Sequence, residues 1–176
     1  GVDDAGPTDH VAFRDQCSIL LNGILGQPTV FVHRDFHCRN LLVLEDDRTG
    51  VIDFQGALYG PLTYDLASLL RDCYQDNPRD WVEHKALEQK ARYEEAFDLH
   101  WEDAQFLRWF DWTGLQRHLK VLGLFRRLHL RDGKSRYLED LPRVWEYARQ
   151  VLGCYPELAG LLAFTESFQT WKDAAA

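Results

Sequence analysis

The apolar positions of this chain fall into two periods. Residues 8 to 25 place Val11, Phe13, Cys17, Leu20, Leu21, Ile24 and Leu25 near helical spacing, and Gly26-Gln27-Pro28 then stops the pattern, which predicts one helix. Thr29 to His33, Leu41 to Leu44 and Val51 to Phe54 are short, apolar and partly β-branched, and read as strands. The charged turn Glu45 to Gly50 joins the last two, which predicts a hairpin. After Gly60-Pro61, Thr63 to Tyr74 puts Leu66, Leu69, Leu70 and Cys73 on one face, with Thr63 as a candidate N-cap. From Asp80 onward the period is helical: Asp80 to Leu99, Asp103 to Leu130, Pro142 to Leu152 and Glu157 to Trp171. The order is helix, small β element, then helices, so the expected class is α+β, mostly helical. No repeat or linker interrupts it, and residues 1 to 176 are expected to form one domain.

Composition narrows the function classes. With 45% apolar residues and 13% aromatics, 176 residues can bury a substantial core. The 20 basic and 28 acidic side chains leave a net charge of -8, which repels a phosphate backbone and argues against nucleic acid as a partner. Cys17, Cys38, Cys73 and Cys154 never reach C-x-x-C spacing, so they read as reduced thiols of a cytoplasmic protein. No run of about 18 uncharged apolar residues occurs, which predicts no membrane association. The chain contains no methionine, even at position 1, so it is expected to be part of a longer protein.

The segment His33-Arg34-Asp35-Phe36-His37-Cys38-Arg39-Asn40, followed after two strands by Asp53-Phe54-Gln55, carries the candidate chemistry. A carboxylate at Asp35, in a loop between strands, can orient an acceptor hydroxyl for in-line attack on a γ-phosphate and take its proton. Magnesium seeks oxygen ligands and keeps open positions for phosphate, which an Asn40 amide and an Asp53 carboxylate provide. The alternation His33, Asp35, His37 can also be read as metal ligands on one strand face, but that leaves Asn40 and Asp53 without a purpose.

The pattern H-x-D-x-x-x-x-N followed by D-F-x resembles the catalytic and metal loops of protein kinases and their relatives. Gln55 stands where protein kinases have glycine, and with Tyr64-Asp65-Leu66-Ala67 this is similar to the aminoglycoside phosphotransferase and choline kinase superfamily, which phosphorylates small molecules. The resemblance implies a kinase-like carboxy-terminal lobe in which a small β-hairpin element carries both loops, with ATP as co-substrate and Mg2+ as cofactor. It implies that Asp65 braces the catalytic loop and that His33 shapes it. His37 occupies the place of a protein-kinase lysine that touches the transferring phosphate, so it is either a γ-phosphate donor or a loop-bracing histidine.

Phe31 to Cys73 and Trp109 to Tyr147, with Trp112-Thr113-Gly114-Leu115-Gln116-Arg117-His118-Leu119-Lys120 and Arg131-Asp132-Gly133-Lys134, resemble one branch, the anomeric kinases of N-acetylmuramate and N-acetylglucosamine of bacterial cell-wall recycling. That implies a sugar substrate; an anomeric hydroxyl is more acidic than an ordinary alcohol, which eases the demand on a carboxylate base. Trp109, Trp112, Gln116 and Arg117 share near-helical spacing. Such tryptophans are mostly core, although Trp112 could stack on a sugar, and Gln116 and Arg117 are the better ligand contacts. An aminoglycoside or amino-alcohol acceptor would suit the acidic chain, but the Arg-rich stretch Gln116 to Arg127 argues against a cation.

One part of the kinase pattern is absent from these residues. The 12 glycines include no G-x-G pair, and only 32 residues precede His33, too few for a lobe with a phosphate-covering loop and a strand lysine. The expectation is a carboxy-terminal lobe that alone binds ATP poorly, transfers little phosphate, and self-associates through its exposed lobe interface. A non-catalytic interaction module is the alternative of another class.

Overall fold

The structure, a computed structural model, describes residues 7–133 and 135–167. The chain divides into two compact units, Gln27–Arg117 and a second formed by the segments before and after it. The α+β, mostly helical class expected from the sequence holds for the described residues.

The unit Gln27–Arg117 contains strands β1 (Thr29–Val32), β2 (Leu41–Val43), β3 (Thr49–Val51) and β4 (Leu58–Pro61), helices α2 (Tyr64–Leu70) and α3 (Arg79–Phe97), and the first half of α4 (Asp103–Asp132). β2 and β3 form the expected antiparallel hairpin, with Leu41 opposite Val51. β1 pairs instead with β4, Val32 opposite Leu58. The sequence reading missed β4 because Gly60-Pro61 looks like a breaker. Glycine is required there: a Cβ at position 60 would lie 2.9 Å from Val32 Cγ2. The core joins Val82 and Ala86 of α3 to Phe106 and Phe110 of α4, each pair four residues apart, around Leu62, Ala67 and Leu70.

Two further expectations are corrected here. The strand expected at Val51 to Phe54 ends at Val51, because Asp53 takes a left-handed conformation with φ 67° and the chain turns into a short 3-10 segment. The helix expected to reach Tyr74 ends at Leu70, where Asn77 Nδ2 donates to the Leu70 carbonyl at 3.1 Å. Nor does Thr63 cap it. Its hydroxyl, wholly buried, sits 2.8 Å from Gln27 Oε1 and 3.0 Å from the Thr113 hydroxyl, while Gln27 Nε2 donates to Thr113 Oγ1 at 2.9 Å. This satisfied polar network ties the start of β1 to α2 and α4. Arg79 binds the buried Asp111 carboxylate through both Nη atoms at 2.9 and 2.7 Å. Burial opposes the charge on Arg79, yet Asp111 outweighs it and drives the guanidinium pKa up.

The second unit contains α1 (Pro7–Leu25), the later part of α4, α5 (Leu141–Cys154) and α6 (Ala159–Ser167). α5 buries Leu141, Val144, Tyr147, Ala148, Val151 and Leu152 on one face and begins with Pro142 in its first turn, where proline costs no hydrogen bond. α1 packs on α6 with Phe13 stacked on Phe164 at 4.5 Å. The helix expected over Glu157 to Trp171 is split into a 3-10 turn, Pro156–Leu158, and α6; its expected end lies outside the described residues. Among the described residues no helix is long and apolar enough to cross a membrane.

Candidate active site

β1 delivers the chain into the loop His33 to Asn40, and the loop is held at both ends. At its entry, Asp65 in the first turn of α2 accepts the His33 amide on Oδ2 at 2.6 Å and the Arg34 amide on Oδ1 at 2.9 Å. Arg34 has φ 77°, a conformation that a non-glycine residue keeps only when its surroundings impose it. Asp65 binds its N–H, Arg117 Nη1 donates to its carbonyl at 3.1 Å, and its own Nη1 donates to the Gly56 carbonyl at 3.2 Å. The buried His33 ring donates from Nε2 to the Ile52 carbonyl at 3.0 Å, linking the loop to the end of the hairpin.

Asp35 itself is exposed. Its main-chain carbonyl accepts the Asn40 side-chain amide at 2.9 Å, so the Asn40 nitrogen is spent inside the loop and its Oδ1 is left for a cation. The Ile52 amide donates to the Asn40 carbonyl at 3.1 Å, which brings the residue before Asp53 against Asn40. Gln55 Nε2 donates to Asp53 Oδ1, leaving Oδ2 of an exposed carboxylate. An amide oxygen and a carboxylate oxygen on joined loops suit a hard cation that takes its other ligands from phosphate and water. Among the described residues no group of three or more His, Cys, Asp or Glu side chains has the arrangement of a metal cage. The alternating set His33, Asp35, His37 therefore forms no such cage.

His37 is half-buried, with its ring edge-on to Tyr74 at 5.9 Å and Nδ1 buried without a hydrogen-bond partner. Of the proposed acceptor set, Trp112 is 2% exposed and Arg108 lies 4.1 Å over its ring. Trp112 is thus a core residue with no open face for a sugar, which corrects its sugar-stacking role. Arg117 serves the loop entry, with its guanidinium 4.9 Å from the Tyr64 ring centre, and Gln116 beside it is half-buried.

The sequence reading missed the exit of the loop. Asp72, 3% exposed, accepts the Cys38 amide on Oδ2 at 2.9 Å and the Tyr74 amide on Oδ1 at 3.0 Å. Arg39 stacks 3.3 Å over the Tyr74 ring. Burial pushes the Tyr74 hydroxyl up to about 12, so the ring beneath Arg39 is neutral at physiological pH. Burial, helped by Asp72, also raises the Cys38 thiol, consistent with a space-filling cysteine rather than a thiolate. The only available signal was a carboxylate seven residues after Asp65, and nothing in the local pattern points it at Cys38.

Residues 8–110 match the family described as the phosphotransferase enzyme family, and the chain belongs to it. It is similar to proteins named N-acetylmuramate/N-acetylglucosamine kinase: 48% identical to one from Neisseria meningitidis serogroup B, covering 82% of this chain and 43% of that protein. The corresponding protein of Pseudomonas aeruginosa is 45% identical over 82% of this chain and 43% of its own length. That of Caulobacter vibrioides is 33% identical over 80% and 38%. The chain thus spans about two fifths of the length of the curated relatives it matches.

Proposed function

We propose that residues 1 to 176 are the catalytic and acceptor-binding lobe of an ATP-dependent sugar kinase that acts on the anomeric hydroxyl of N-acetylmuramate or N-acetylglucosamine. Membership of a phosphotransferase family supports the reaction type, and similarity to kinases named for these sugars supports the acceptor. The observation that carries the reading is the Asn40 amide held on the Asp35 carbonyl, which packs a candidate base and a candidate metal ligand into one loop.

In this reading the Asp35 carboxylate accepts a hydrogen bond from the sugar hydroxyl, aims its oxygen at the γ-phosphorus, and takes its proton as transfer proceeds. The new bond joins sugar oxygen to phosphorus, the β–γ bridging bond breaks, and ADP leaves. Asn40 Oδ1 and Asp53 Oδ2 would hold Mg2+, which supplies charge neutralisation to the ATP phosphates. We assign the donor on the γ-phosphate to His37, loop support to Asp65 and His33, and the acceptor side to Gln116 and Arg117. The phosphate-covering loop and its lysine are assigned to residues outside these 176, since the segment has no G-x-G pair. The compartment that fits is the cytoplasm.

The test is phosphorus NMR of N-acetylglucosamine and N-acetylmuramate incubated with ATP, Mg2+ and the intact protein. The reading requires a new sugar 1-phosphate doublet coupled to the anomeric proton. Phosphate appearing only on another hydroxyl, or on no sugar, would refute it.

A further inference from the structure

The turn that follows α2 touches three consecutive residues of the catalytic loop. His37 sets its ring edge on Tyr74, the Cys38 amide donates to Asp72, and Arg39 lies over the Tyr74 ring. Gln75 Nε2 also approaches Cys38 Sγ at 3.8 Å. These residues lie between Asp35 and Asn40. The turn is also hydrogen-bonded within itself: the Asp72 carboxylate accepts the Tyr74 amide, and the Gln75 amide donates to the Asp72 carbonyl at 3.2 Å. Asp65 and Asp72 stand at opposite ends of α2, seven residues apart, and grip the loop's entry and exit respectively.

We propose that Asp72 is a positioning residue of the phosphotransfer site: with the Tyr74 ring it clamps His37 to Arg39 and so sets the placement of the metal ligand Asn40 relative to the base Asp35. The proposal rests on the phosphotransfer reading above. A carboxylate at 3% exposure accepts two backbone N–H groups that no neutral apolar side chain could satisfy. Freed at Cys38, the loop keeps its grip at Asp65 but loses the fixed segment between base and metal ligand. An error of about 1 Å there is enough to cost on the order of 100-fold in rate.

The experiment compares the intact enzyme with Asp72→Ala, Asp72→Asn and Tyr74→Leu well below their melting temperatures. It follows kcat, KM for the sugar, half-saturating Mg2+, and the affinity of the sugar-free protein for Mn2+ with a non-hydrolysable ATP analogue. Asp72→Ala is expected to lose about 100-fold in kcat, to need more Mg2+, to bind Mn2+ more weakly, and to leave KM for the sugar nearly unchanged. Asp72→Asn, which keeps one acceptor oxygen, should recover much of the loss, and Tyr74→Leu should show the same pattern more mildly. Unchanged kcat and Mn2+ affinity in Asp72→Ala would overturn the clamp, as would losses that only track the unfolded fraction. If Asp72→Ala fails to fold, Tyr74→Leu decides by the same readouts. A parent that phosphorylates no sugar overturns the acceptor reading alone, because weakened Mn2+ binding in the variant would still uphold the clamp and equal binding would overturn it.

Discussion

The Asn40 side-chain nitrogen donates to the Asp35 carbonyl at 2.9 Å, so the residue assigned to the metal also fixes the backbone of the residue assigned to the base. Replacing Asn40 should therefore damage two things at once. In the intact protein Asn40→Ala is expected to raise the Mg2+ needed for half-maximal activity and to lower kcat even at saturating Mg2+. Asp53→Ala, which removes the other residue assigned to the metal without touching the Asp35 carbonyl, should be restored more fully by excess Mg2+. Magnesium titrations of both variants check this; identical maximal rates at saturation would break the link between Asn40 and Asp35.

A second expectation concerns the buried network of Gln27, Thr63 and Thr113. Thr63→Val keeps the shape and deletes the hydroxyl that meets Gln27 Oε1 and the Trp109 carbonyl. Gln27 Oε1 still accepts the residue-63 amide at 3.0 Å, so unfolding in urea should show the loss of one buried hydrogen bond, about 0.5 to 1.5 kcal/mol. Because Thr63 immediately precedes α2, and Asp65 and Asp72 depend on that helix, the same variant should lose some activity when warmed before the parent does.

Tyr74 predicts an alkaline limit to stability. Its hydroxyl titrates at about 12 in the folded chain against 10.0 for a free tyrosine, chiefly because it is buried. The unfolded chain thus releases the proton first as pH rises. The Tyr74 contribution is fully present below about pH 10 and is lost between about pH 10 and 12. Chemical unfolding across that window should show falling stability, and Tyr74→Phe should flatten the fall; an equal slope in the variant would contradict the assignment.

The H-x-D-x-x-x-x-N and D-F-Q loops were legible because their spacing needs no knowledge of packing, and the structure joins Asn40 to the Asp35 carbonyl and to Ile52, the residue before Asp53. The helices α3, α4 and α5 were legible to within a few residues at their ends, and of these α5 has the strongest apolar period. β4 was not, since Leu58-Tyr59-Gly60-Pro61 forms a strand only because β1 supplies the partner and glycine clears Val32. Thr63 had the right residue type for a cap, and a buried glutamine 36 positions away claimed its hydroxyl. Trp112 had the spacing of a stacking platform but lies inside the core. Asp72 was invisible because its meaning depends on Cys38, a contact across 34 residues.

The central claim is that Asp35 is the base that orients the sugar hydroxyl, and the most direct measurement is turnover of Asp35→Asn in the intact protein beside its affinity for ATP and Mg2+. The substitution keeps size and a hydrogen-bonding group but removes the proton acceptor, while leaving the Asp35 main-chain carbonyl on Asn40. General-base catalysis contributes on the order of 10²- to 10⁴-fold, so kcat should fall by about that factor, with nucleotide binding and KM for the sugar close to those of the parent. Turnover within about tenfold of the parent, below the range expected for a lost general base, would contradict the account.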